Sequence, residues 1–114
     1  MKLHFGRPMA LKDEKCLPCE GGTPPLGEER IRKLLHEVPG WTVREGKLRK
    51  DLKFADFVSA MSFLNRLAEI AEREGHHPDF CVHYNRVELT VWTHAIGGLS
   101  QNDFILASKI DALL

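Results

Sequence analysis

The strongest constraint on the fold is a hydrophobic period that changes from two to helical spacing and back again. Between Asp56 and Arg73 apolar residues recur at helical spacing: Phe57, Met61, Leu64, Ala68 and Ala71 form a stripe, widened by Ala60, Leu67 and Ile70. Asp56 suits the N-cap, where a short acceptor side chain takes an orphan backbone N–H. Gly75 suits a left-handed C-terminal cap, and Pro78 prevents the helix from continuing. On either side the period is two. Trp41 to Phe54 reads as a hairpin around Glu45-Gly46, in which Trp41 and Val43, then Leu48, Leu52 and Phe54, alternate with polar residues. Phe80 to Tyr84 and Val87 to His94 read as a second hairpin around Asn85-Arg86. In its second strand Val87, Leu89, Val91 and Thr93 face one way, and Glu88, Thr90, Trp92 and His94 the other.

Two shorter helices complete the pattern. Glu28 to Val38 carries Ile31, Leu34, Leu35 and Val38 at helical spacing. Glu28 and Glu29 sit in its first turn, where negative charge suits the helix dipole, and Pro39-Gly40 stops it. Ser100 and Asp103 form the S-x-x-D capping box of a last helix, with Phe104, Ala107, Ile110 and Leu114 inward. The order is α-β-β-α-β-β-α. Hairpins make antiparallel neighbours, which excludes a doubly wound parallel sheet. The expected fold is α+β: a four-stranded antiparallel sheet with helices on one face. Residues 1–25 hold Pro8, Pro18, Pro24, Pro25 and Gly21-Gly22 without periodicity. They are predicted to form an irregular extension ahead of one domain over 26–114.

The 16 basic and 16 acidic residues cancel, so no basic surface marks nucleic acid as the partner. A net charge near zero does little to oppose self-association, and a homodimer or homotetramer is expected. No apolar run reads as a signal peptide or spans a bilayer, which places the chain in the cytoplasm with no membrane partner. Cys16, Cys19 and Cys81 are an odd count and a poor disulfide framework.

The chemistry lies in Glu72, His76, His77, Pro78, Tyr84, His94 and Asp103. Histidine gives and takes protons near neutrality, so three imidazoles beside two carboxylates suit metal-free acid–base work, and they also suit zinc. Adjacent histidines serve one pocket only where the chain bends, and Gly75 and Pro78 supply that bend. Glu72 stands in the last turn of its helix, where the dipole disfavours a carboxylate. It is expected to seek a cationic partner such as His76. His94 ends a strand on its outward parity, beside the Gly97-Gly98 loop. Asp103 is the capping acid unless the site reaches it, and Tyr84 is either a hairpin core residue or the edge of an aromatic cradle. Against zinc, adjacent histidines rarely share one ion, and H-E-x-x-H is absent. Cys16-x2-Cys19 is half a zinc site with no second pair.

Taken together, these residues resemble the pterin-4a-carbinolamine dehydratases, also called dimerisation cofactors of a homeodomain transcription factor. The family pattern is an acid, three residues, His-His-Pro, an aromatic, a histidine and a distal aspartate. The resemblance runs from about Pro25 to the C-terminus and takes in Pro39-Gly40-Trp41 and Gly98-Leu99-Ser100. Gly75, Phe80, Ala95 and Asn102 depart from residues frequent in the family. The resemblance implies a dehydratase of tetrahydrobiopterin recycling. Its pterin substrate, a 4a-hydroxytetrahydropterin, loses water to become the quinonoid dihydropterin, with no metal or redox cofactor. It also implies that His76, His77 and His94 are the acid–base set, with Glu72, Pro78, Tyr84, Thr93 and Asp103 binding or orienting. The competing implication is a non-catalytic protein-binding or assembly cofactor, since family members also bind a transcription factor's dimerisation helix.

Overall fold

The computed structural model describes residues 9–18 and 23–114. A 3-10 turn at Leu11–Asp13 precedes α1 (Glu28–Leu35), β1 (Thr42–Arg44), β2 (Lys47–Lys53), α2 (Phe57–Glu74), β3 (Asp79–His83) and β4 (Arg86–Val91). A second 3-10 turn at His94–Ile96 leads into α3 (Gln101–Asp111). The sheet order is β1-β2-β4-β3, and each neighbouring pair is antiparallel. This is the α+β order that the changes of period predict.

Period becomes packing in β4. Val87, Leu89 and Val91 are fully buried, while Glu88 and Thr90 between them are only half-buried. The buried face joins Phe63, Leu64 and Leu67 of α2 and Phe104, Leu106 and Ile110 of α3 in one core, which also takes in Leu34 and Val38. Each large apolar side chain buried there contributes about 1.5–3 kcal/mol over its exposed state. Asp56 accepts from the Ser59 N–H at 2.8 Å and caps α2; that bond also holds its carboxyl below the usual range.

Several local expectations are corrected. The buried stripe of α2 is Ala60, Phe63, Leu64, Leu67 and Ala71, whereas Phe57, Met61 and Ala68 are exposed. Two apolar rows overlap on this helix. Tertiary contact selects the row containing Phe63, whose ring centroid lies 5.1 Å from that of Phe54. The first helix ends at Leu35, short of Val38, because proline disfavours helical geometry in the residue before it. Val43 belongs to a short edge strand whose three residues are all exposed. The second hairpin turns at Tyr84 and Asn85, with Tyr84 in the left-handed region at φ 56, rather than at Asn85-Arg86. Strand β4 stops at Val91, short of His94, and Thr93 forms an isolated bridge to Gly98. Leu114 lies beyond the end of α3 and is exposed. The lead-in is more than irregular chain, since Leu11 and Cys16 are buried and join the core. No helix of the described residues is long and apolar enough to cross a membrane.

Candidate active site

The end of α2 places two of the histidines. Gly75 adopts φ 65 and caps the helix, and the N–H groups of Gly75 and His76 both return to the Ala71 carbonyl, the latter at 3.2 Å. This is a Schellman-type ending, which a residue free to adopt positive φ makes cheap. The reversal splits the adjacent imidazoles. The His76 side chain is 13% exposed and faces inward, while that of His77 is 58% exposed.

Inward, His76 Nε2 lies 2.6 Å from Asp103 Oδ1. Asp103 is fully buried, and its Oδ2 accepts from the Ser100 N–H and from the Thr93 hydroxyl, each at 2.8 Å. Asp103 thus closes the capping box of α3 and also holds the His76 imidazole. Outward, His77 Nε2 lies 2.5 Å from Glu72 Oε2. The expected Glu72–His76 pair does not form, because the Gly75 cap turns His76 away from the helix surface on which Glu72 stands.

The third histidine opens the 3-10 turn after Thr93. Thr93 N–H donates to the Gly98 carbonyl at 3.0 Å and pins the turn's base. Gly98 is required by close approach, since a Cβ there would lie 2.9 Å from the Pro25 Cβ. The His94 ring stacks on Trp92 with centroids 3.9 Å apart and planes at 25°. Lys47 Nζ sits 4.4 Å from the Trp92 ring centroid. Asp79 Oδ2 accepts from Trp92 Nε1 at 3.3 Å and lies 4.0 Å from His94 Nε2. Each of the three imidazoles thus has a carboxylate beside it. Sequence reasoning missed Asp79 and gave Trp92 no part in the site. The signal was the strand register, which pairs Asp79 with Thr90 and so brings Trp92 onto its diagonal.

An open cleft of about 720 Å³ is lined by His76, His77 and His94, together with Glu72, Thr93 and Trp92. Asp103 sits behind its wall. Pro78 shapes the bend but does not line the cleft, and neither does Tyr84, which is exposed in its hairpin turn. Tyr84 is accordingly not a hairpin core residue. Residues 15–18, which carried no expected role in the site, also line the cleft.

Among the described residues, no group of three or more His, Cys, Asp or Glu is placed to hold a metal ion. Cys19 and His4 lie outside the described residues, so the Cys-x2-Cys pair has no structural account. Burial first, and Glu74 second, push the Cys16 thiol up to about 12, so it stays protonated at neutral pH.

The sequence model of the family described as Pterin 4 alpha carbinolamine dehydratase matches residues 24–113. The chain belongs to this family. A Rubrobacter xylanophilus protein, provisionally named pterin-4-alpha-carbinolamine dehydratase, is 45% identical over 104 residues, covering 90% of this chain and 97% of that protein. A Rickettsia bellii protein with the same provisional name is 49% identical over 106 residues, covering 91% and 94%. Among solved structures, a transcriptional coactivator/pterin dehydratase from Brucella melitensis superposes with a TM-score of 0.75 at 32% identity, over 78% of this chain and 97% of that one. A pterin dehydratase-like RuBisCO assembly factor of the alpha-carboxysome, at 24% identity and a TM-score of 0.54, shares the fold over 64% of this chain and 84% of its own.

Proposed function

We propose that this member of the pterin carbinolamine dehydratase family is an active hydro-lyase. It takes a 4a-hydroxytetrahydropterin to the quinonoid dihydropterin and water, as a step in tetrahydrobiopterin recycling. The observation that carries the reading is the set of three imidazoles on one cleft, each with a carboxylate partner: His76 with Asp103, His77 with Glu72 and His94 with Asp79. The catalytic domain is residues 26–114.

The C4a hydroxyl leaves poorly unless it is protonated. One imidazole donates a proton to that oxygen. The C4a–O bond breaks as the N5 lone pair closes a double bond to C4a, and water departs. A second imidazole accepts the N5 proton, which yields the quinonoid product and returns the site to its starting proton count. His77 and His94 present exposed rings for these transfers, while His76 is tied to the buried Asp103 and fixes the cleft's inner wall. Transfers of this kind contribute about a hundred- to ten-thousand-fold each. Pro78 holds the bend that separates His76 from His77. Thr93 belongs to the cleft wall through its bond to Asp103.

The test is ultraviolet absorbance after rapid mixing, with the unstable carbinolamine generated in situ. The full chain is expected to accelerate dehydration, and a folded His76→Ala/His77→Ala variant is not. A second reading, a protein-binding cofactor without catalysis, is favoured by Phe57, Val58 and Met61, which stand exposed on α2. It takes the lead if the folded parent gives no acceleration. A homodimer or homotetramer suits the same exposed row, and light scattering after size exclusion measures it.

A further inference from the structure

We propose that residues 15–18 form a strap that is one wall of the substrate site, and that Leu17 covers the face of the bound pterin ring. The inference rests on the assignment of the cleft to a pterin. The strap lies outside the residues that the family's sequence model matches, so nothing in that match assigns it a role.

The strap is anchored to the two elements that place His76. From α2, Glu74 Oε1 accepts from the Cys16 N–H at 2.9 Å, and the Arg73 carbonyl accepts from Lys15 Nζ at 3.2 Å. From α3, Asn102 engages both backbone polar groups of Leu17. Its Oδ1 accepts from the Leu17 N–H at 2.9 Å, and its Nδ2 donates to the Leu17 carbonyl. Glu74 immediately precedes the Gly75-His76 bend, and Asn102 immediately precedes Asp103. Further back, Gln101 Nε2 donates to Glu14 Oε1 at 2.9 Å, Lys109 Nζ donates to the Lys12 carbonyl at 2.9 Å, and Leu11 is buried. A side-chain amide suits this anchor, because it matches an N–H and a C=O on one residue as a single cation cannot.

The Leu17 main chain is therefore tied down while the residue is 69% exposed, and this leucine lines the same cleft as the three histidines. An apolar side chain carried on a fixed main chain and left in water beside polar groups is arranged for a ligand with an apolar face. A pterin is a flat bicycle with hydrogen-bonding edges and apolar faces. Imidazoles and carboxylates serve the edge where water is lost, and Leu17 with Pro18 serves a face.

The test uses the full chain with Leu17→Ser and Leu17→Met, read by carbinolamine dehydration and by equilibrium binding of 7,8-dihydrobiopterin as a stable probe. Because Leu17 is exposed, neither substitution disturbs the core. Loss of contact made equally in the ground and transition states raises KM and spares kcat. Leu17→Ser is expected to raise KM and the probe's Kd by about three- to tenfold, as partial burial of a leucine implies, while kcat changes by less than about twofold. Leu17→Met restores both. An active parent whose KM and Kd are unmoved by Leu17→Ser overturns the strap proposal and leaves the dehydratase reading intact. Probe binding weakened by Leu17→Ser in a chain without turnover supports the strap and overturns the dehydratase reading. A folded parent that neither dehydrates the carbinolamine nor binds the probe overturns both.

Discussion

His76 Nε2 lies 2.6 Å from Asp103 Oδ1, and the same fully buried carboxylate caps α3 through its other oxygen. The inner wall of the cleft and the start of a core helix therefore share one side chain. Asp103→Ala removes both acceptor oxygens and leaves the buried Ser100 N–H without its acceptor, at a cost of about 1–3 kcal/mol. Urea denaturation is expected to show that loss together with reduced turnover. A variant with an unchanged midpoint would contradict the shared role.

His94 is aligned by a ring rather than by a buried ion pair. Trp92 stacks on it, and Asp79 binds the indole N–H beside it. Trp92→Ala frees the imidazole, and small misplacements in an active site lower rates steeply. A kcat reduced by about tenfold is expected, which is about 1.4 kcal/mol of barrier. Trp92→Phe retains a stacking face and should recover most of the rate. Full kcat in Trp92→Ala would remove the aromatic from the account.

Glu74 links the strap to pH. Burial alone would push its carboxyl up, but the Cys16 N–H outweighs that effect together with Lys109 and Lys15, and the group ends lowered. A carboxyl lowered on folding stabilises the native state above its unfolded pKa, about 4.3 for glutamate, and loses that contribution as pH falls through the folded value. Glu74→Gln should therefore be less stable than the parent at pH 6, with the gap closing toward pH 3. Chemical denaturation at the two pH values checks this. A gap that is constant with pH would show that the loss is packing alone.

The sheet was legible because its strands keep strict parity: Leu48 and Leu52 on one strand, then Val87, Leu89 and Val91 on another, admit one buried face. Helix caps at Asp56, Gly75 and Ser100 were legible for the same local reason. The inner face of α2 was not, because Phe57, Met61 and Ala68 make as good a row as Ala60, Phe63 and Leu67, and only packing against the sheet, α3 and Phe54 decides. At the site, the histidines could be found from their spacing across a bend. Their partners could not, because each pair depends on a distance between elements. Glu72 lies within helical reach of His76, yet the cap sends it to His77. Asp79 and Trp92 meet through sheet register, and Asn102 and Leu17 meet through a lead-in without periodicity of its own.

The most direct test of the proposed chemistry is the steady-state dehydration rate of full-length His77→Ala beside the parent, with native folding verified by circular dichroism. The His77 side chain is 58% exposed and bonded to an exposed Glu72, so its removal leaves the core untouched. Acid–base catalysis by the histidines predicts a kcat/KM lowered by about a hundred- to ten-thousand-fold. Parental turnover in the folded variant would contradict it.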